Sequence, residues 1–289
     1  MSRHEFMHNH FLTSAFTFIL ASVAGHLFAE EKQAWTFIEN SEVKLGVKKS
    51  SGGAIGWFSL AGSDQNLVNH YDHGRLIQQS FYGGPDGSKW AKKDWVWNPV
   101  QGGDYQGTAA TILQFELSGD KLYVKTKPKH WATGEDINEV VFEQWIELNA
   151  SVAHIRYRMT YSGTVSHPLH DQEIPAVFVD RSLETLIIGQ ADGVQKLHPD
   201  FPNERYPTPK HWAAYVDREN FGLGVCVPQA DVLTCYRVAK PGQKGACSYF
   251  APLARFAIKP GMVFEYDCYL TIGSIEEIQS RFERLSKEK

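Results

Sequence analysis

The stretch VVFEQWIELNASVAHIRYRMTYSG, residues 140–163, decides the fold class. Its second half sets Ala153, Ile155, Tyr157, Met159 and Tyr161 at every other position. A period of two gathers those side chains on one face of a strand. Asn149-Ala150-Ser151 interrupts the run, so the stretch is a β-hairpin with one apolar face. Outward from it the pattern repeats. In TILQFELSGDKLYVKTKP (111–128), Leu113, Phe115 and Leu117 alternate, Ser118-Gly119-Asp120 turns, and Leu122 and Val124 resume. Residues 35–60 hold two or three strands, with Val43, Leu45 and Val47 alternating before the Ser51-Gly52-Gly53 turn. Residues 212–273 add an antiparallel run of four segments. Only SIEEIQSRFERLSKEK (274–289) has helical spacing, in Ile275, Ile278 and Phe282, with Ser274 and Glu277 forming a capping box. About a dozen short strands and one terminal helix predict an all-β fold, a large antiparallel β-sandwich closed by helix 274–289.

Composition narrows the function classes. A chain of 289 residues with 43% apolar and 21% charged residues suits one large β domain. A net charge of −4 gives no footprint for nucleic acid or an anionic membrane. Residues 1–29 read as a secretory signal peptide: Arg3 precedes the apolar run 11–25, and Ala24 and Ala29 are both acceptable cleavage positions. The expectation is a secreted or periplasmic protein, with residues 30–289 a single sandwich domain and no membrane contact once the signal is removed. All four cysteines fall in the last third, at 226, 235, 247 and 268, where competing registers leave any pairing open. No zinc spacing, GxSxG elbow, P-loop, HExxH or dinucleotide fingerprint occurs, and no metal or cofactor is expected.

One region breaks the ordinary strand pattern. Residues 66–82, NLVNHYDHGRLIQQSFY, read as one strand that is polar on both faces. That reading puts His70, Asp72, Gln78 and Tyr82 on one side, and Tyr71, His73, Arg75 and Gln79 on the other. A half-buried strand keeps polar groups to one face, so at least one face should line a cleft. Residues 83–107 follow as a long Gly-rich loop carrying Trp90, Trp95 and Trp97, whose indoles suit the apolar faces of sugar rings. A second polar cluster is SHPLHDQEIP (166–175), where Glu173 starts a strand and His167 and His170 are loop histidines. A third is His211 and Trp212 beside a loop with four prolines.

These groups fit chemistry on carbohydrate. Hydrolysis of a glycosidic bond needs two carboxyl groups, for which Asp72 and Glu173 are the expected pair, with Asp104 and Glu143 in reserve. Elimination from a uronic acid needs neutralisation of the sugar carboxylate, by Arg75 and Gln78, and a base, His73 or Tyr82. Trp90, Trp95, Trp97, His211 and Trp212 complete the expected substrate contacts.

The segment SGGAIGWFSLAGSDQNLVNHYDHGR, residues 51–75, resembles the opening of galactose-mutarotase-like sugar enzymes. The resemblance implies a large antiparallel sandwich with a sugar site on its concave face and Arg75 as a sugar contact. The chain departs from that family in lacking its His-x-x-Phe-Asn stretch and its late glutamate base. The leading expectation is therefore an enzyme cleaving glycosidic bonds in a polysaccharide or oligosaccharide, as hydrolase or uronate lyase. A non-catalytic carbohydrate-binding module and a mutarotase-like isomerase stand as alternatives.

Overall fold

The computed structural model describes residues 35–287, so the expected signal peptide lies outside the described residues. The chain opens with β1 (Trp35–Glu39), β2 (Val43–Lys48), β3 (Ala54–Leu60), β4 (Ile77–Ser80), β5 (Pro85–Trp90), β6 (Lys93–Val96) and β7 (Pro99–Val100). Then come β8 (Thr111–Ser118), β9 (Lys121–Lys127), β10 (Lys129–His130), β11 (Val140–Asn149), β12 (Val152–Tyr161), β13 (His170–Val179) and β14 (Thr185–Gly189). The last are β15 (Val194–Leu197), β16 (Glu204–Pro207), β17 (Trp212–Val216), β18 (Phe221–Cys226), β19 (Val232–Val238), β20 (Cys247–Phe256), β21 (Val263–Ser274) and α1 (Ile275–Lys287).

Two large antiparallel sheets result. A ten-stranded sheet runs β1-β2-β3-β4-β13-β20-β19-β16, with β7 and β10 attached beside β4. A nine-stranded sheet runs β15-β14-β17-β18-β21-β12-β11-β9-β8. Their inner faces share one core, where Phe81 meets Phe142 at 5.6 Å and Phe250 meets Tyr215 at 5.7 Å. The alternation read at 153–161 faces this core: Ala153, Ile155, Tyr157, Met159 and Tyr161 are all buried. Two amides bridge the interface, Gln101 Nε2 donating to Gln144 Oε1 at 3.0 Å and Gln79 Nε2 to the Glu143 carbonyl at 3.1 Å. The architecture is the expected all-β sandwich with one C-terminal helix.

Helix α1 starts with the capping box that its sequence announces. The Ser274 amide donates to Glu277 Oε2 at 2.8 Å, and the Glu277 amide to Ser274 Oγ at 3.3 Å. Its apolar stripe, Ile275, Ile278 and Phe282, packs with Trp212, Ile187 and Val216 on the outer side of the nine-stranded sheet. The approach is close because β18 carries Gly224, where a Cβ would lie 2.5 Å from Ile278 Cγ2.

Four segments differ from their sequence reading: β13 begins at His170 rather than at Glu173, β16 forms inside the proline-rich loop, and two more lie beside the site. Residues 66–82 are not one strand; only Ile77–Ser80 pairs as one. Before β4 the short polar side chains bond the local backbone instead of letting it join a ladder. Asn66 Oδ1 takes the amides of Phe58 and Val68, Asn69 Oδ1 that of Tyr71, and Asp72 Oδ1 those of Gly74 and Arg75. Residues 83–107 are not a featureless loop either, since β5 and β6 form a separate hairpin. Its two-residue turn has positive φ at both Ala91 (50°) and Lys92 (65°), a primed turn made without glycine or asparagine. All four cysteines are free and buried.

Candidate functional site

On the outer face of the ten-stranded sheet lies a hollow of about 340 Å³. Strand order makes its floor. β4 lies beside β13, with Ser80 opposite Glu173 and Gln78 opposite Ala176. β20 follows, with Tyr249 opposite Phe178, and then β19, with Tyr236 opposite Tyr249. Alternation turns Ile77, Gln79 and Phe81 toward the core, and Gln78, Ser80 and Tyr82 into the hollow. Trp90 and Trp95 of the β5–β6 hairpin and Trp131 form one wall, the two indole contacts of Trp90 measuring 4.9 Å and 6.1 Å. Asp72 and Arg75 stand on another side, and Phe201 and Asn203 at the rim.

Glu173 is the central ionisable group. Tyr249 donates its hydroxyl to Glu173 Oε1, and the hydroxyls of Tyr82 and Ser80 stand close enough to the same carboxyl to favour its ionised form. Burial raises the Glu173 pKa above the ordinary carboxylate value, and the three hydroxyls oppose that rise only in part. Burial, followed by the charge of Glu173, drives both Tyr82 and Tyr249 well above the usual phenol range. These phenols therefore stay protonated and donate. A carboxyl whose proton affinity is raised by burial in a hollow is a candidate for proton exchange with a ligand.

The other polar groups mostly brace the site. Arg75 Nη1 meets Asp72 Oδ2 at 2.5 Å, and Asp72 also holds the backbone of the turn that presents the guanidinium. Gln78 spends its amide on the carbonyls of His73 and Gly74, at 2.9 Å and 2.8 Å, and accepts from Gly102 at 2.6 Å. Gly102 has to be glycine, since a Cβ there would lie 2.2 Å from the His73 carbonyl oxygen. The tryptophan wall is clamped from behind. His130 Nδ1 accepts the Ala132 amide at 3.1 Å, which leaves the proton on Nε2 to bond Asp86 of β5 at 2.7 Å.

The structure thus brings Asp72, Arg75, Gln78, Tyr82, Trp90, Trp95 and Glu173 to one hollow. Four expected residues lie elsewhere. His73 bonds Ser51 Oγ at 2.8 Å and the Gly107 carbonyl at 3.0 Å, tying down the glycine-rich loop. Trp97 is 7% exposed, stacked on His167 at 4.0 Å and bonded to Glu139. Trp212 is buried beneath α1 with Phe282 at 5.8 Å, and His211 bonds the Ala230 carbonyl at 3.0 Å. Of the reserve carboxylates, buried Asp104 accepts the amides of Gln106 and Thr108, and Glu143 accepts the Tyr123 hydroxyl at 2.6 Å. Sequence reasoning missed Tyr249, Tyr236, Trp131, Phe201 and Asn203. Each lies far along the chain from the polar segment, and nothing in its own neighbours signals the hollow.

No protein-family model matches this chain, and no curated protein does either. Solved structures do. A galactose mutarotase related enzyme from Lactobacillus acidophilus superposes with a TM-score of 0.56 at 11% identity, over 83% of this chain and 98% of that one. A candidate aldose 1-epimerase from Escherichia coli K12 gives 0.55 at 12% identity, over 83% and 99%. A galactose mutarotase-like protein from Lactobacillus casei gives 0.55 at 10% identity, over 82% and 99%. The fold is galactose-mutarotase-like.

This finding overturns the expectation of glycosidic bond cleavage. These three neighbours are named for an aldose 1-epimerase, a mutarotase related enzyme and a mutarotase-like protein, and none of the three for a hydrolase or lyase. Asp72, the intended second carboxylate, lines the same hollow but is already engaged by Arg75 and by backbone amides.

Proposed function

We propose that this protein is a mutarotase-like sugar isomerase that opens and recloses the hemiacetal ring of an aldose. The observation carrying the reading is Glu173, a buried carboxyl of raised pKa that accepts the Tyr249 hydroxyl in a hollow walled by tryptophans. Ring opening moves a proton from the anomeric hydroxyl and supplies one to the ring oxygen; reclosure reverses both transfers. Glu173 takes the anomeric proton and delivers that same proton to the ring oxygen as the C1–O5 bond breaks. Tyr82 and Tyr249 hold its carboxyl in one orientation and stabilise its ionised form by donating to it. Trp90, Trp95 and Trp131 stack on the sugar's C–H face, and the Asp72–Arg75 pair bonds ring hydroxyls. The leader-like start of the chain supports action after export, which N-terminal sequencing of the mature protein would check.

The test is exchange between α and β anomers, followed by polarimetry and magnetisation transfer on a panel of neutral aldoses. We expect acceleration by the native protein and a loss of about 100-fold or more in Glu173→Gln, the scale of general acid–base catalysis. Native protein that binds sugars without accelerating exchange would return the chain to the binding-module reading.

A further inference from the structure

Among the described residues three aromatic side chains stand exposed, Phe201 at 65%, Tyr71 at 46% and Tyr105 at 43%; Phe201 lines the hollow, and the other two each touch a residue that lines it. Phe201 lines its rim and sets its edge on Tyr236 at 5.9 Å. Tyr71 lies under the Arg75 guanidinium at 5.2 Å, and Tyr105 leans on Trp131 at 6.1 Å. Large apolar groups left in water around one mouth mark a binding surface rather than scatter.

Each is also held in place by its own turn. Asn69 Oδ1 accepts the Tyr71 amide at 3.0 Å, and Asp200 Oδ1 accepts the Phe201 amide at 2.9 Å. The Tyr105 amide donates to the Trp131 carbonyl at 3.2 Å, and Asp104 bonds the amides that follow. These bonds fix the backbone that carries the three rings before any ligand arrives.

Size and charge identify the ligand. A hollow of about 340 Å³ lies at the small end of ligand sites, room for a terminal ring but not a chain. Arg75 is the one cation among the described residues lining it, and Asp72 neutralises that charge. An anionic sugar would bring a second negative charge near Glu173 with no cation to offset it. We infer that the hollow takes the reducing-end ring of a neutral oligosaccharide, and that Tyr71, Tyr105 and Phe201 form outer subsites for the rings behind it. The inference rests on the isomerase reading, because only the reducing end carries a hemiacetal.

The experiment measures anomer exchange at the reducing end of neutral gluco- and galacto-oligosaccharides of one to four rings. We expect kcat/KM to rise about tenfold between one ring and three, the scale of one or two aromatic stacking contacts. The Tyr71→Ala/Tyr105→Ala double variant should keep the single-ring value and lose the rise. Phe201→Ala should weaken every length. Exchange that is active but independent of length overturns this inference and leaves the isomerase reading standing, whereas no exchange at any length overturns both. A preference for uronate-containing oligomers overturns the neutral assignment. Self-association seen by light scattering and abolished in the double variant, with the length dependence intact, overturns the subsites in favour of a contact between copies.

Discussion

The two outer faces of this sandwich carry similar residues and use them differently. On the nine-stranded face, Trp145 lies between Tyr123 at 5.1 Å and the guanidiniums of Arg156 and Arg158 at 4.9 Å and 5.0 Å. Its charges pair with one another: Arg158 with Glu265 and Glu143, His154 with Asp267, Lys121 with Glu147. On the ten-stranded face Glu173 meets hydroxyls and its pKa rises. A charge with a partner across the strand completes a sheet surface. A carboxyl kept short of a cation costs stability, and such groups cluster where chemistry is done.

The comparison is broken most decisively at Glu173. The Glu173→Gln change should remove about 100-fold or more of exchange activity and yet raise the thermal midpoint at neutral pH. The sign follows from linkage. A pKa raised by folding makes the folded form the tighter proton binder, so stability is complete below the unfolded value and falls as pH rises through the folded one. Glutamine cannot ionise, so the gap in midpoint should close in acid. A variant less stable than the native protein at neutral pH would contradict this account.

Tryptophans sharpen the contrast next. Trp212→Ala opens a cavity under α1 and should cost about 3–5 kcal/mol in denaturant unfolding, with exchange per folded molecule unchanged. Trp90→Ala should do the reverse, leaving stability nearly intact while raising KM about tenfold. The clamp behind that wall gives a smaller effect. Burial pushes Asp86 upward, but hydrogen bonds from Ser88 and from the His130 ring outweigh it and hold Asp86 below the usual carboxylate range. Its contribution is present above the unfolded pKa and is lost as pH falls through the folded one. Asp86→Asn should therefore raise KM about threefold at neutral pH with kcat unchanged, and reduce the acid dependence of KM. Smallest of all is Lys121→Ala on the nine-stranded face, an exposed pair whose loss should leave both exchange and the unfolding midpoint where they are.

Much of the framework was legible because it is written locally. The alternation at 153–161 and the Ser274–Glu277 capping box each involve neighbours in the chain, and both hold in the fold. Legibility failed where short-range chemistry overrode the pattern. Asn66, Asn69 and Asp72 turn a strand-like run into bonded turns, and Ala91-Lys92 makes a hairpin with residues that do not advertise one. Trp90 and Trp97 show the same limit within one loop, since seven positions apart one indole walls the hollow and the other is sealed in the core.

By itself the sequence determined which side chains share a face of each strand, because that depends only on a backbone period of two. It placed Gln78 with Tyr82 and set Gln79 opposite them, as the structure has it. What only the tertiary structure decided was the order of the strands. Laying β13 between β4 and β20 sets Glu173 opposite Ser80 and within reach of Tyr249, seventy-six residues away. A shifted proton affinity depends on everything that surrounds the group in space, and most of those neighbours are distant along the chain.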